Sequence, residues 1–124
     1  MLDHYRTQLT KVPFGIAVLA SLAVLFTPAS GVPDAPPGTD KVVHLVLFAA
    51  LAASGRIARI PVLLPGLAAY AVVSEVLQVT LPLGRSFELA DIGVDLAGAL
   101  AGWSAVALAR RRRPRSVVAP ARRG

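Results

Sequence analysis

The chain has 124 residues, of which 55% are hydrophobic and 16% charged; an ordinary soluble domain carries about 25% charged residues. A single small domain of this composition is too apolar for a typical soluble fold. With no cysteine in the sequence, disulfides, thiolate metal sites and cysteine nucleophiles are excluded.

The net charge is +6, and its placement says more than its sum. Seven of the thirteen Lys and Arg residues follow Ala109, in ARRRRPRSVVAPARRG. A basic run directly after an apolar helix is suited to resting on anionic lipid headgroups. Nucleic acid is not an expected partner, because no stacking aromatics interleave with the arginines.

Residues 1–11, MLDHYRTQLTK, read as a short polar N-terminus on the cytoplasmic side. Residues 12–29 form the first apolar block, with Pro13 at a first-turn position that a helix accepts. A cleavable signal competes for this block, since a basic start precedes it and the small residues Ala29, Ser30 and Gly31 follow. Pro28 sits badly at such a cleavage site, so a retained helix is expected. Residues 30–39, SGVPDAPPGT, are a loop. Asp40 is then expected to cap a second helix over 41–55. About fourteen residues span only about 21 Å, short of the roughly 30 Å hydrocarbon core. This helix therefore either continues through Arg56 and Ile57 or draws water toward its ends. A third helix is expected over 60–81, with Pro61 and Pro65 near its start, and a fourth over 87–109. Residues 110–124 form a basic cytoplasmic tail whose last part, 116–124, reads as disordered. The fold class is all-α: a polytopic membrane protein, a bundle of four transmembrane helices over 12–109.

Orientation follows from Lys and Arg. Both termini and the 55–59 turn together hold eleven of them, Arg6, Lys11, Arg56, Arg59 and the seven tail arginines, whereas the opposite side holds only Lys41 and Arg85. The termini are therefore expected in the cytoplasm. Six of the seven acids then fall in the outer half: Asp34, Asp40, Glu75, Glu88, Asp91 and Asp95. By helical rise, His44 lies roughly 6 Å beneath the outer surface, Glu75 and Gln78 roughly 9 and 5 Å, and Asp91 and Asp95 roughly 6 and 12 Å. Three helices thus carry costly polar groups to one level, which marks a functional site by default.

Each group also has a purely structural reading. Asp40 and His44 share a face, so His44 is a proton acceptor or ligand oriented by a carboxylate, or a histidine bonded between helices. Glu75 and Gln78 share another face, and Arg85 is placed to fold back onto Glu75 as a clasp, or to clamp an anionic headgroup with its planar fork. Asp91, Asp95, Gly98 and Gly102 form one stripe, and G-x-x-x-G at 98–102 admits a close neighbour, so both carboxylates point into the bundle. Tyr70 and Trp103 read as interface or packing residues, and Phe48 as the packing cover of His44. No metal site is assigned, since no motif of known ligand spacing is present.

DKVVHLVLF at 40–48, SEVLQ at 74–78 and GRSFELADIGVDLAGALAG at 84–102 together resemble the VanZ-like family. The order and spacing match an Asp-Lys-x-x-His start, a Glu-x-x-Gln helix, and an Arg-x-x-x-x-x-Asp segment leading into a Gly-rich helix. The departure is Asp95, where the family usually places Asn. The resemblance implies a small multi-spanning membrane protein, in a family whose founding member is associated with lowered susceptibility to the glycopeptide teicoplanin.

The expected function is binding or modification of an anionic cell-envelope component, such as a membrane lipid headgroup or a lipid-linked cell-wall precursor. Candidate catalytic groups are His44, Glu75, Asp91 and Asp95; candidate binding groups are Asp40, Lys41, Gln78 and Arg85. No cofactor is identified. The alternatives are a non-catalytic membrane scaffold or accessory subunit, and, ranked lower, a proton-coupled transporter, because the cytoplasmic halves of the helices carry no charge to complete a path.

Overall fold

The computed structural model describes residues 2–31 and 34–114. Four helices follow in order: α1 (Leu2–Leu25), α2 (Thr39–Ile57), α3 (Leu63–Thr80) and α4 (Leu89–Arg111), with a 3-10 turn at Ala29–Gly31. The described residues contain no strand. The fold is all-helical, and α1, α3 and α4 are each long and apolar enough to cross a membrane. The 19-residue α2 carries Asp40 and Lys41 near its start and Arg56 near its end, and is too short to leave a long apolar stretch clear of them.

The helix ends depart from expectation for local reasons. α1 begins ten residues earlier than its apolar block, because the polar start continues the same helix, and Pro13 lies inside it rather than in a first turn. It stops at Leu25, three residues before Pro28, as helices do ahead of a proline. α2 runs from Thr39 through Arg56 and Ile57, the longer of the two options, and spans about 28 Å. Asp40 does not cap it. The cap position is Gly38, in the left-handed region at φ 88°, and no side chain bonds there. The C-terminus of α2 closes in a Schellman arrangement. Ile60 N–H donates to Gly55 O and Arg59 N–H to Arg56 O, both at 3.0 Å, with Arg59 left-handed at φ 56°. That closure delays α3 to Leu63 and places Pro65 in its first turn. Of the basic tail, residues 115–124 lie outside the described residues.

Helices α2 and α4 run parallel and approach most closely. A Cβ at Gly98 would overlap the Leu45 carbonyl, and one at Gly102 the Ala49 carbonyl. The G-x-x-x-G spacing therefore serves contact between these two helices. Around them lies a small apolar core of Leu25, Phe48, Leu51, Ala52, Leu63, Leu67, Ala71 and Ala99. Phe48 stacks on Tyr70, centroids 5.6 Å apart, and the Tyr70 hydroxyl meets Ser21 Oγ on α1 at 2.9 Å. Trp103 lies beneath the Arg56 guanidinium, 3.6 Å from ring centroid to Cζ. Both aromatics pack within the bundle.

The interior also buries Ser21, His44, Ser74, Glu75, Gln78, Asp91 and Asp95, while Leu19, Val42, Val46, Val73 and Leu100 face outward. In the most apolar stretch of α1 only 11% of the residues are buried. An apolar exterior around a polar interior is what a lipid environment favours, since hydrocarbon solvates the outer side chains and excludes the ionisable ones.

Candidate functional site

The polar groups gather where the N-terminal turns of α2 and α4 meet the C-terminal turn of α3. Their parallel course sets Lys41 opposite Asp91 and His44 opposite Asp95, one turn deeper on each helix. Lys41 Nζ donates to Glu88 Oε2 at 2.7 Å and to Asp91 Oδ1 at 3.0 Å, and reaches Asp40 Oδ2 at 3.4 Å. Carboxylate oxygens of Asp40, Glu88 and Asp91 lie within 4.8 Å of one another, a spacing that would suit a cation. The ammonium of Lys41 occupies that place and offsets part of the charge.

Below this outer layer, His44 Nδ1 is 2.7 Å from Asp95 Oδ1, and His44 Nε2 is 4.0 Å from Asp91 Oδ2. Asp95 is 0% exposed and His44 is 4% exposed. Glu75, at the same depth on α3, accepts the backbone N–H of Glu88 through Oε1 at 2.8 Å. Glu88 precedes the first turn of α4, whose N–H groups have no partner within the helix, so a carboxylate there is well placed. One oxygen of each inner acid, Glu75 Oε2 and Asp95 Oδ2, is buried with no hydrogen-bond partner among the described residues.

Gln78 and Arg85 face another way. Gln78 Nε2 donates to Leu25 O; Arg85 Nε and Nη2 donate to Thr27 O at 3.0 and 2.8 Å. Ala29 N–H adds a bond to Leu83 O at 2.8 Å. These three residues tie the end of α1, with its otherwise unpartnered carbonyls, to the α3–α4 connection. The expected Glu75–Arg85 clasp is therefore not formed: Glu75 is taken by the start of α4, and Arg85 by the end of α1. Gly84, left-handed at φ 70°, gives the turn that sends Arg85 in that direction.

Between the end of α1, the 34–38 loop and the start of α2 lies a cavity of about 630 Å³, whose lining includes Val24, Leu25, Val43, Asp40, His44 and Arg85. It joins an apolar wall to a guanidinium, an imidazole and the carboxylates of Asp34 and Asp40.

The structure thus brings Asp40, Lys41, His44, Glu75, Asp91 and Asp95 into one cluster and sets Gln78 and Arg85 at its α1 side. Glu88 completes the cluster although it was not among the sequence candidates. Its position three residues before Asp91, next to the helix start, was the available signal. The carboxylate triad around Lys41 had none, because its members come from the starts of two helices far apart in the chain, α2 and α4.

An all-helical chain with an apolar exterior and an ionisable cluster buried at one end is a helical membrane protein. The VanZ/LLP1 family matches residues 4–110, most of the chain, and this protein belongs to that family. No curated protein and no solved structure matches it.

Proposed function

We propose that the protein resides in the cell membrane with both termini in the cytoplasm, and that its cavity takes an anionic amphiphile at the extracytoplasmic face. The ligand chemistry is a phosphate-bearing headgroup on an apolar chain, as in a membrane phospholipid or a lipid-linked cell-wall precursor. The observation that carries this reading is the cavity holding Arg85 and His44 against the apolar side chains of Val24, Leu25 and Val43. Arg85 spends Nε and Nη2 on the Thr27 carbonyl, which leaves Nη1 for an anionic oxygen. Lys41 is the lesser candidate for this role, being held by Glu88 and Asp91. Family membership supports an envelope setting, and an altered response to glycopeptides would follow if the ligand is a cell-wall precursor.

The second reading is a scaffold whose polar groups only lock helices together, favoured by the mutual satisfaction of Lys41, Glu88 and Asp91. One experiment separates the two. Purified protein in detergent is titrated with phosphatidylglycerol, a polyprenyl phosphate and zwitterionic phosphatidylethanolamine, read by native mass spectrometry, with melting followed on the same samples. The site reading expects an anionic lipid to bind and Arg85→Gln to weaken it about tenfold, roughly 1.4 kcal/mol, at similar melting temperature. The preferred anionic lipid tells membrane phospholipid from precursor carrier. Equal binding of all three lipids, or loss of binding only in step with loss of folding, would leave the scaffold.

A further inference from the structure

His44 has its two ring nitrogens in different surroundings. Nδ1 meets Asp95 Oδ1 at 2.7 Å, and Asp95 is wholly buried on α4. Nε2 makes no hydrogen bond among the described residues; Asp91 Oδ2 stands 4.0 Å from it. The same side chain lines the cavity that Arg85 lines. An ionised carboxylate can only accept, so the proton on a neutral imidazole beside it belongs on Nδ1, and the lone pair falls to Nε2. That is the tautomer a base requires.

We propose that His44 is a general base, positioned by Asp95, which takes a proton from a hydroxyl or water held beside Arg85 in the cavity. The proton passes from that O–H to Nε2, and the oxygen keeps the electron pair as a nucleophile. The imidazolium that results lies between two carboxylates, Asp95 at 2.7 Å and Asp91 at 4.0 Å, which stabilise its charge. Asp91 is itself paired with Lys41, and Glu75 is a third acid in the same buried cluster. Asp95 is thus a positioning residue, and His44 is the group that touches the ligand. This inference rests on the cavity being the ligand site, but its test needs no ligand.

The chain has two histidines, and His4 is exposed near the start of α1, so His4→Gln leaves His44 alone. In lipid nanodiscs at neutral pH, 15N spectra of that protein are expected to show a protonated Nδ1 and an unprotonated Nε2. Diethyl pyrocarbonate is expected to add to His44 in the folded protein, detected as a mass shift on its peptide. Asp95→Asn offers Nδ1 an amide that can donate as well as accept, and Asp95→Leu offers it nothing, so both should lose the single-tautomer spectrum. Two protonated nitrogens in the His4→Gln protein, a proton on Nε2 alone, or modification of His44 only after denaturation would each overturn the proposal. Since no anionic lipid is titrated as a probe in any of these readouts, a failed lipid titration and a failed base assignment remain distinguishable.

Discussion

At the scale of single residues, the site is governed by a shortage of cations. Asp40, Glu88 and Asp91 share one ammonium, Lys41, while the inner acids Glu75 and Asp95 rely on a backbone N–H and a histidine. Lys41 is partly exposed, so its individual ion pairs are worth little by themselves. Its larger effect is to keep three carboxylates from repelling one another. Lys41→Met removes that charge and keeps the stem. The variant is expected to melt below the wild type in detergent, and to recover with millimolar calcium because oxygen ligands at this spacing suit a hard cation. The wild type should show no such calcium response. Equal melting of the two proteins, with and without calcium, would contradict this account.

At the scale of elements, the α2–α4 pair sets the site, because their closeness allows short side chains to meet across the interface. Gly98 and Gly102 are required for that approach: a methyl group at either would strike backbone carbonyl atoms rather than a movable side chain. Gly98→Ala or Gly102→Ala should cost about 1–3 kcal/mol, the usual range for overpacking, and should lengthen the His44–Asp95 contact. At Gly93, on the same helix, an added methyl group would meet nothing within 4 Å, so Gly93→Ala should change stability by less than about 1 kcal/mol. Unfolding in mixed detergent, with the three variants side by side, measures the difference. Similar behaviour at all three positions would remove the steric explanation. At the other side of the site, Gln78, Arg85 and Ala29 bind α1 to the α3–α4 connection, so that end of α1 is held by hydrogen bonds to carbonyls.

At the scale of the whole molecule, the proposed orientation can be checked with unusual directness, since the chain has no cysteine. Ala35→Cys, in the loop before α2, should react with a membrane-impermeant maleimide applied to intact cells. Arg59→Cys, in the turn between α2 and α3, should react only after permeabilisation. The reverse pattern would place the cavity toward the cytoplasm and withdraw the envelope ligand.

Much of the fold could be anticipated along the chain. The four apolar blocks, the depth of His44, Glu75 and Asp91, and the inward stripe of Asp91, Asp95, Gly98 and Gly102 depend on helical rise and periodicity, which are local properties. Pairing is not local. Five acids compete for a few cations at one end of the bundle, and spacing along a helix cannot say which carboxylate faces which donor on another. Only the parallel register of α2 against α4 decided that Lys41 meets Glu88 and Asp91 and that His44 meets Asp95. Only the turn at Gly84 decided that Arg85 holds the Thr27 carbonyl and leaves Glu75 to the backbone of α4. The sequence by itself determined that these groups would share a depth in a membrane bundle; the tertiary structure decided their partners, because a hydrogen bond needs an approach of about 3 Å and that distance is set between helices.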